Sequence, residues 1–305
     1  MSDSYPAHVS DLPREHLRHP MRWVSAAFVL AILLLIIRAF AAGQIDWAIV
    51  GEYFTGETIL RGFRNTLVVS SISMVAGLVL GIIFAIMRLS NNPVTNLVAW
   101  LYVWIFRGTP LILQLLIWFN IALVFPRIHI PGLINVNTVE VVTPFVAACL
   151  GLAINEGAYM TEVVRAGIQS VDKGQGEAAT ALGMSPAMTL RRIILPQAMK
   201  LIIPPVGNSA IGMLKTSSLA AVISYSELLN SAQQIYFVNG AVIELLFVCA
   251  IWYIAATTVL SGVQFLIERN LGDNKSTGGR AWPGFRTFFL TYVNRPRTQV
   301  VGEQV

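Results

Sequence analysis

Long apolar runs recur along this chain, and several exceed the roughly 20 residues that a helix needs to cross a bilayer. Charges collect in the short segments between the runs. Of 305 residues, 55% are hydrophobic and 12% charged, against about 25% charged in an ordinary soluble domain. The sequence is therefore that of an all-α, polytopic membrane protein.

Six spans are expected. Residues 1–20 form a polar tail containing Pro6, Pro13 and Pro20. The first span, 23–42, is longer than a signal-peptide core and lacks a clear small-x-small cleavage site, so it reads as an uncleaved helix. Arg38 near its far end can snorkel to the interface. After a polar connection, 43–64, come spans at 65–87 and 97–125. The former carries Gly77-x3-Gly81, a spacing that lets two helix backbones approach closely. The latter is interrupted at Arg107-Gly108-Thr109-Pro110. A loop, 126–140, leads to the fourth span, 141–164. The fifth starts near Gln197. Its Pro204-Pro205, Gly207 and the run Lys215-Thr216-Ser217-Ser218 predict a broken or bent helix. A polar connection, 224–239, precedes the sixth span at 241–267, and residues 269–305 form a basic tail. Trp282, Phe285 and Phe288 beside the arginines of that tail suggest a segment lying on the membrane surface.

Several functions are disfavoured. Cys149 and Cys249 lie inside apolar spans, and neither they nor His8, His16, His19 and His129 have metal-ligand spacing. No metal or cofactor is expected. The net charge of +5 is loop and tail charge, which in a membrane protein encodes orientation and not nucleic-acid binding. With the N-terminus inside, both tails, the 88–96 loop and the loop after the fourth span carry most of the Lys and Arg. The other side keeps only Arg38, Arg61, Arg64 and Arg127. Both termini are thus expected in the cytoplasm.

That loop after the fourth span is sharply punctuated. In GEAATALGMSPAMTLRRIILPQA, residues 176–198, a first short helix should end at Gly183, which readily takes the left-handed conformation. Ser185 then caps a second helix with Pro186 at its first position. Pro196 disfavours helix at Leu195 and marks a boundary with the next span. The spacing E-A-A-x3-G-x9-I-x-L-P, from Glu177-Ala178-Ala179 through Gly183 and Ile193 to Leu195-Pro196, matches the signature of ABC importer permeases at every fixed position.

The resemblance covers about residues 61–271 and is closest to permeases of the polar amino-acid importers (histidine, glutamine and glutamate type). Phe106-Arg107-Gly108-Thr109-Pro110-Leu111 with Gln114 resembles that family's F-R-G-T-P-L-L-x-Q element. Glu162 to Ile168, and then Gly174 to Ala179, resemble its E-I-x-R-G-G-I and G-Q-x-E-A-A. Asn208-Ser209 and Leu214-Lys215 with Ser218-Leu219 are similar to G-N-S and L-K-x-T-S-L. Ala166 and Gly176 depart from the pattern, and Pro126 to Pro131 belongs to an unusually long external loop.

The resemblance implies a five-helix type I importer core, 65–268, with a coupling loop at 172–196. An additional N-terminal helix with its connection would occupy 21–64. It implies a bacterial cytoplasmic membrane protein without catalysis or cofactor of its own. Two cytoplasmic ATPases, an extracytoplasmic amino-acid-binding protein and a second permease, identical or paralogous, would be its partners. A phosphate-loop pattern is absent, since Gly272 to Thr277 lacks the G-x4-G-K-[ST] spacing. Glu177 would make a polar contact to the ATPase. Ala178 and Ala179 would pack closely and Gly183 would provide the turn. Arg191 and Arg192 either add contacts or are ordinary positive-inside residues.

Polar groups deep in spans usually face a cavity or another protein group. Here they are Arg107, Gln114, Asn120, Asn155, Glu156, Glu162, Asn208 and Lys215. Asn155, Tyr159 and Glu162 share one helical face by spacing, and Arg107 and Gln114 likewise share one. An amino acid needs a cation for its carboxylate, which Lys215 or Arg107 could supply, and an acceptor for its ammonium, which Glu156 or Asn155 could supply. Alternatively, Arg107 and Glu162 pair internally, and Lys215 satisfies carbonyls freed by the broken fifth helix. Internal pairing is the favoured reading for Arg107 and Glu162, and a pathway role for Glu156. Tyr159, Met160 and Met213 read as packing. An ion-driven secondary transporter is the competing class. It predicts a repeat between halves, and none is visible between 21–140 and 141–270.

Overall fold

The computed structural model describes residues 20–43, 45–130 and 134–272. The expected N-terminal tail and the amphipathic segment of the C-terminal tail lie outside the described residues. Helix α1 (Pro20–Ala41) is followed by a short α2 (Trp47–Phe54), the long α3 (Glu57–Leu89), α4 (Pro93–Gly108) and α5 (Leu111–Phe119). A hairpin, β1 (Arg127–Ile130) and β2 (Ile134–Asn137), and one turn of helix, α6 (Thr138–Val141), lead to α7 (Pro144–Gln169). Two short helices, α8 (Lys173–Ala181) and α9 (Pro186–Thr189), precede α10 (Leu195–Thr216), and α11 (Leu228–Asn239) and α12 (Val242–Gly272) close the described chain.

Local chemistry sets many of these boundaries. Asp46, Asn92, Thr143 and Asp172 each accept backbone N–H bonds at the start of α2, α4, α7 and α8. Proline occupies the first turn of α4, α7 and α9, where its missing N–H costs nothing. The fold is helical, as expected, with one exception. The long loop at 126–140 contains the antiparallel hairpin, in which Arg127 lies opposite Asn137.

Several expected boundaries move. The 43–64 connection is mostly helix: Gly56 and Glu57 start α3 eight residues before the apolar stretch begins, and Arg61 pairs with Glu57 one turn away at 2.5 Å. The 224–239 connection is largely α11. Its polarity is capping, because Glu227 accepts from the N–H groups of Leu229 and Asn230 at 2.8 and 2.7 Å. Tyr253 of α12 also donates to Glu227, at 3.0 Å, and the Glu227 side chain is fully buried.

Two proline readings are corrected. Leu195 is helical, and Pro196 marks a change of helix type and not a break: a π-helical turn, Leu190–Ile194, runs straight into α10. The wider turn shifts the hydrogen-bond register just ahead of a residue with no N–H to give. Likewise α10 continues through Pro204-Pro205. There Gln264 of α12 donates to the Pro204 carbonyl at 3.3 Å and to Asn208 Oδ1 at 3.2 Å, so the neighbouring helix supports the segment. Irregularity comes later, as a 3-10 stretch at Ser217–Ile223. The hydroxyls of Ser217 and Ser218 donate back to the Leu214 and Lys215 carbonyls at 2.8 and 2.7 Å.

The expected third span is not one rod. α4 and α5 meet at 103°. Among the described residues, three helices are long and apolar enough to cross a membrane, or four with the bent pair counted as one. α7 and α10, with 26 and 22 residues, have the length but carry the polar side chains of the cavity described below.

α3 and α7 form the tightest pair. A Cβ at Gly77 would lie 2.9 Å from Glu156 Cβ, and one at Gly81 only 2.3 Å from Met160 Cβ. The Gly-x3-Gly spacing therefore does what the sequence predicts. α2 packs on α12 through aromatic rings: Trp252 stacks on Phe54 at 5.2 Å and its indole N–H donates to the Phe54 carbonyl at 3.0 Å. None of the apolar window 23–41 of α1 is buried.

Candidate functional site

A cavity of about 910 Å³ lies between α7 and α10 and reaches the end of α4. Its wall contains Arg107, Asn155, Glu156, Tyr159, Glu162 and Asn208 among the polar groups expected to matter. The periodicity reading of α7 is correct here, since Asn155, Tyr159 and Glu162 all face one space. Met160 and Met213 join the wall while remaining buried. Tyr159 is not purely packing: the Arg107 guanidinium lies over its ring, 5.0 Å from the centroid, a favourable cation–π arrangement.

Glu156 is half-buried, with the α3 glycines behind it. Its Oε1 has no hydrogen-bond partner, while Ser209 of α10 approaches the carboxylate. Glu162 pairs internally, as favoured, but not with Arg107. Arg165 holds it at 2.5 Å, and the Nε of Arg88, from α3, stands 3.9 Å away. Arg88 read as a loop charge in the sequence. Only folding places it beside α7, where it also donates to Asn96 at 2.6 Å.

Two expected pathway residues do not line the cavity. Lys215 is exposed and absent from the cavity wall. For its alternative role, satisfying carbonyls at the end of α10, the Ser217 and Ser218 hydroxyls already donate to the Leu214 and Lys215 carbonyls. Gln114 is buried in the bend between α4 and α5. The 103° angle separates it from Arg107, so they share no helix face. Its amide Nε2 donates to the carbonyl of Phe106 at 2.9 Å and to the hydroxyl of Thr109 at 2.8 Å. Asn155 reaches the same Phe106 carbonyl from α7, also at 2.9 Å. Asn120 bonds its own helix at Leu116.

The punctuated segment after α7 forms as its residues dictate. α8 ends before Gly183, whose φ of +75° is the left-handed conformation. Met184 N–H donates to the Ala179 carbonyl at 3.0 Å and Gly183 N–H to the Thr180 carbonyl at 2.9 Å, the paired bonds of a Schellman C-cap. Ser185 caps α9 through the Met188 N–H. Ala179 faces inward, while Glu177, Ala178, Arg191 and Arg192 are exposed. Leu182 is 82% exposed, a large apolar side chain left open beside small residues.

A bent helix pair, a polar cavity between two long helices, and an exposed small-residue helix leading out of that wall define a membrane permease of the type I importer fold. The chain belongs to the family of binding-protein-dependent transport system inner membrane components, whose model matches residues 77–273. It is 43% identical over 257 residues to the arginine transport system permease protein ArgU of Corynebacterium glutamicum, covering 83% of this chain and 81% of that one. It is 32% identical to the glutamine transport system permease protein GlnP of Escherichia coli, covering 75% of this chain and 98% of that one. Among solved structures, an amino acid ABC transporter crystallised with histidines matches at a TM-score of 0.65 and 36% identity, over 75% of this chain and all of that one. Permeases of this family are transport components and not the catalytic subunits.

Proposed function

We propose that this chain is the membrane-spanning subunit of an ATP-driven importer of polar or charged amino acids and works by alternating access. Residues 65–268 are its permease domain, and 21–64 add one helix. The relatives named for arginine and glutamine transport support the substrate class. In the cavity the substrate carboxylate meets Arg107, and its ammonium group meets the carboxylate of Glu156, which lines the same wall. Asn208 completes the polar wall.

The observation that carries the mechanism is the continuity of cavity and exposed segment. The cavity wall runs down α7 from Asn155 to Ser170, and α8 begins three residues later. A displacement of α8 therefore reaches the cavity across only the short turn 170–172 and then along α7. We take 172–196 as the coupling loop and place it with both termini in the cytoplasm, following the Lys and Arg distribution. Glu177 makes the polar contact to an ATPase and Ala178 packs against it, while Ala179, expected beside them, is buried within the chain's own fold and does not reach that surface. Gly183 and the turn before Pro196 fix the shape of the loop. Leu182, exposed to 82%, suits an apolar docking surface. Arg191 and Arg192 flank that surface. Two such permeases, identical or paralogous, with two ATPases and an extracytoplasmic amino-acid-binding protein, complete the machine in the bacterial cytoplasmic membrane. With the loop in the cytoplasm, the cavity described above is open inward.

The test is purification of the tagged chain from its own membranes with quantification of bound ATPase. Glu177→Arg with Gly183→Val should strip the ATPase from the complex and abolish amino-acid uptake. Wild-type ATPase binding and uptake in that variant would end the coupling reading. Uptake that persists without ATPase but collapses with the ion gradient would favour a secondary carrier.

A further inference from the structure

The geometry points to Gln114 and Asn155 as positioning residues that aim Arg107, not as ligands of the substrate. This inference rests on Arg107 being the cation for the substrate carboxylate. It begins with Pro110. In a continuing helix the Phe106 carbonyl would accept from the N–H four residues on, but residue 110 is proline and has none. A carbonyl left bare inside a membrane protein is costly, so its two lone pairs need donors from elsewhere.

Both donors are side-chain amides, and they come from two different helices. Gln114 of α5 and Asn155 of α7 each lie 2.9 Å from the Phe106 oxygen. Gln114 also holds the Thr109 hydroxyl at 2.8 Å, and that hydroxyl donates to the Ile105 carbonyl at 2.9 Å. Tyr102, one turn earlier, donates to the Ile154 carbonyl of α7 at 2.7 Å. The last two turns of α4 are thus fastened to α5 across the bend and to α7 at two points. Arg107 is the residue immediately after the clamped carbonyl. Its guanidinium lies on Tyr159, one α7 turn beyond Asn155. The clamp and the aromatic ring together fix where the cavity's cation stands, which is the preorganisation that charge recognition requires.

The clamp gives two amides of the expected pathway set a role other than direct contact with substrate. Gln114 is buried outside the cavity, and Asn155 spends its amide donor on Phe106 while sitting at the cavity wall. Their contribution to recognition is exerted through Arg107.

The experiment uses the intact permease–ATPase complex in nanodiscs, without binding protein, so that binding reports the membrane cavity. Labelled L-arginine and L-glutamine are each competed with their own carboxamides, which lack the carboxylate. The wild-type complex should prefer the carboxylate by roughly tenfold or more, as befits a charge-assisted contact. Gln114→Leu, outside the cavity, should collapse that preference while leaving the affinity for the carboxamide unchanged, and Asn155→Leu, at the cavity wall, should collapse the preference too. Arg107→Gln should do the same, and adding Gln114→Leu to it should change nothing further. Pro110→Ala supplies the Phe106 carbonyl with a backbone donor and removes the reason for the bend, so it should not rescue Gln114→Leu. Rescue by Pro110→Ala would mean that the amides only satisfy a carbonyl, and would overturn the positioning role. If Arg107→Gln loses the carboxylate preference but Gln114→Leu and Asn155→Leu keep it, positioning fails while the cavity reading stands. If Arg107→Gln retains the preference, or wild type binds neither amino acid at millimolar concentration, the cavity reading itself fails.

Discussion

Gly81→Ala is the most direct test of how α3 and α7 are held. The added Cβ would stand 2.3 Å from Met160 Cβ, 3.0 Å from the Met160 carbonyl carbon and 3.1 Å from the Thr161 nitrogen. Two of these neighbours are backbone, and Met160 and Thr161 are fully buried, so no side-chain rotation relieves the contact. Carbon atoms pack at about 3.5–4.0 Å, so the two helices must part by about 1 Å or more over at least one turn. Overpacking of this kind costs about 1–3 kcal/mol, offset by about 0.5–1 kcal/mol because alanine is the better helix residue. A net loss of roughly 1–2 kcal/mol is expected, which in a chain of this size lowers the midpoint of thermal unfolding by several degrees. Gly262→Ala on α12 is the control, since nothing lies within 4 Å of its Cβ. It should be neutral or slightly stabilising. The assay is thermal unfolding of the purified complex in detergent, followed by tryptophan fluorescence and by size-exclusion recovery. Equal midpoints for Gly81→Ala and Gly262→Ala would refute the close α3–α7 approach. Because Met160 and Glu156 also line the cavity, Gly81→Ala should weaken amino-acid uptake as well, and Gly262→Ala should not.

Gly183→Ala should destabilise the α8 cap by about 1–2 kcal/mol, because a residue with a Cβ enters a left-handed conformation, whereas Gly176→Ala, inside α8 with open space around it, should be neutral or slightly stabilising; hydrogen exchange of the 176–184 amides reads both. Glu227→Ala leaves two backbone N–H groups and the Tyr253 hydroxyl without their acceptor in a buried site, and a loss of about 2–4 kcal/mol is expected. Tyr253→Phe should lose about 1 kcal/mol, and a Glu227→Ala midpoint no lower than that of Tyr253→Phe would contradict the capping network. Arg165→Ala should disturb the complex more than Arg88→Ala, because Glu162 sits 2.5 Å from the first and 3.9 Å from the second; both losses should stay near about 1 kcal/mol, since neither pair is fully buried, and the reverse ranking in thermal unfolding would refute the assignment.

The corrections share one origin. Pro204-Pro205 and Pro196 were expected to break or bound a helix because proline lacks an N–H and crowds the preceding turn. Both rules are local, and neither stops the helix here: α10 runs on through Pro204-Pro205, and a π-helical turn re-registers the chain before Pro196. The same limit applies to Lys215 and Gln114. A polar residue in an apolar run announces that it needs a partner, but not whether that partner is a cavity, a neighbouring carbonyl or the far side of a bend.

What the amino-acid order determined by itself is whatever short-range physics governs. Run lengths set the helical membrane fold, capping residues followed by prolines set the starts of α4, α7 and α9, and Gly183 set the end of α8, because each depends on groups within one or two turns. The i, i+4, i+7 face of Asn155, Tyr159 and Glu162 was legible for the same reason. What only the tertiary structure decided are pairings across long separations in sequence: Asn155 to the carbonyl of Phe106, Arg88 to Glu162, and Tyr253 to Glu227 under a helix that reads as a polar linker. Such groups are matched by burial, where every donor and acceptor must find a partner regardless of its distance along the chain. Membrane packing resolves that demand collectively, so no single stretch of sequence carries the answer.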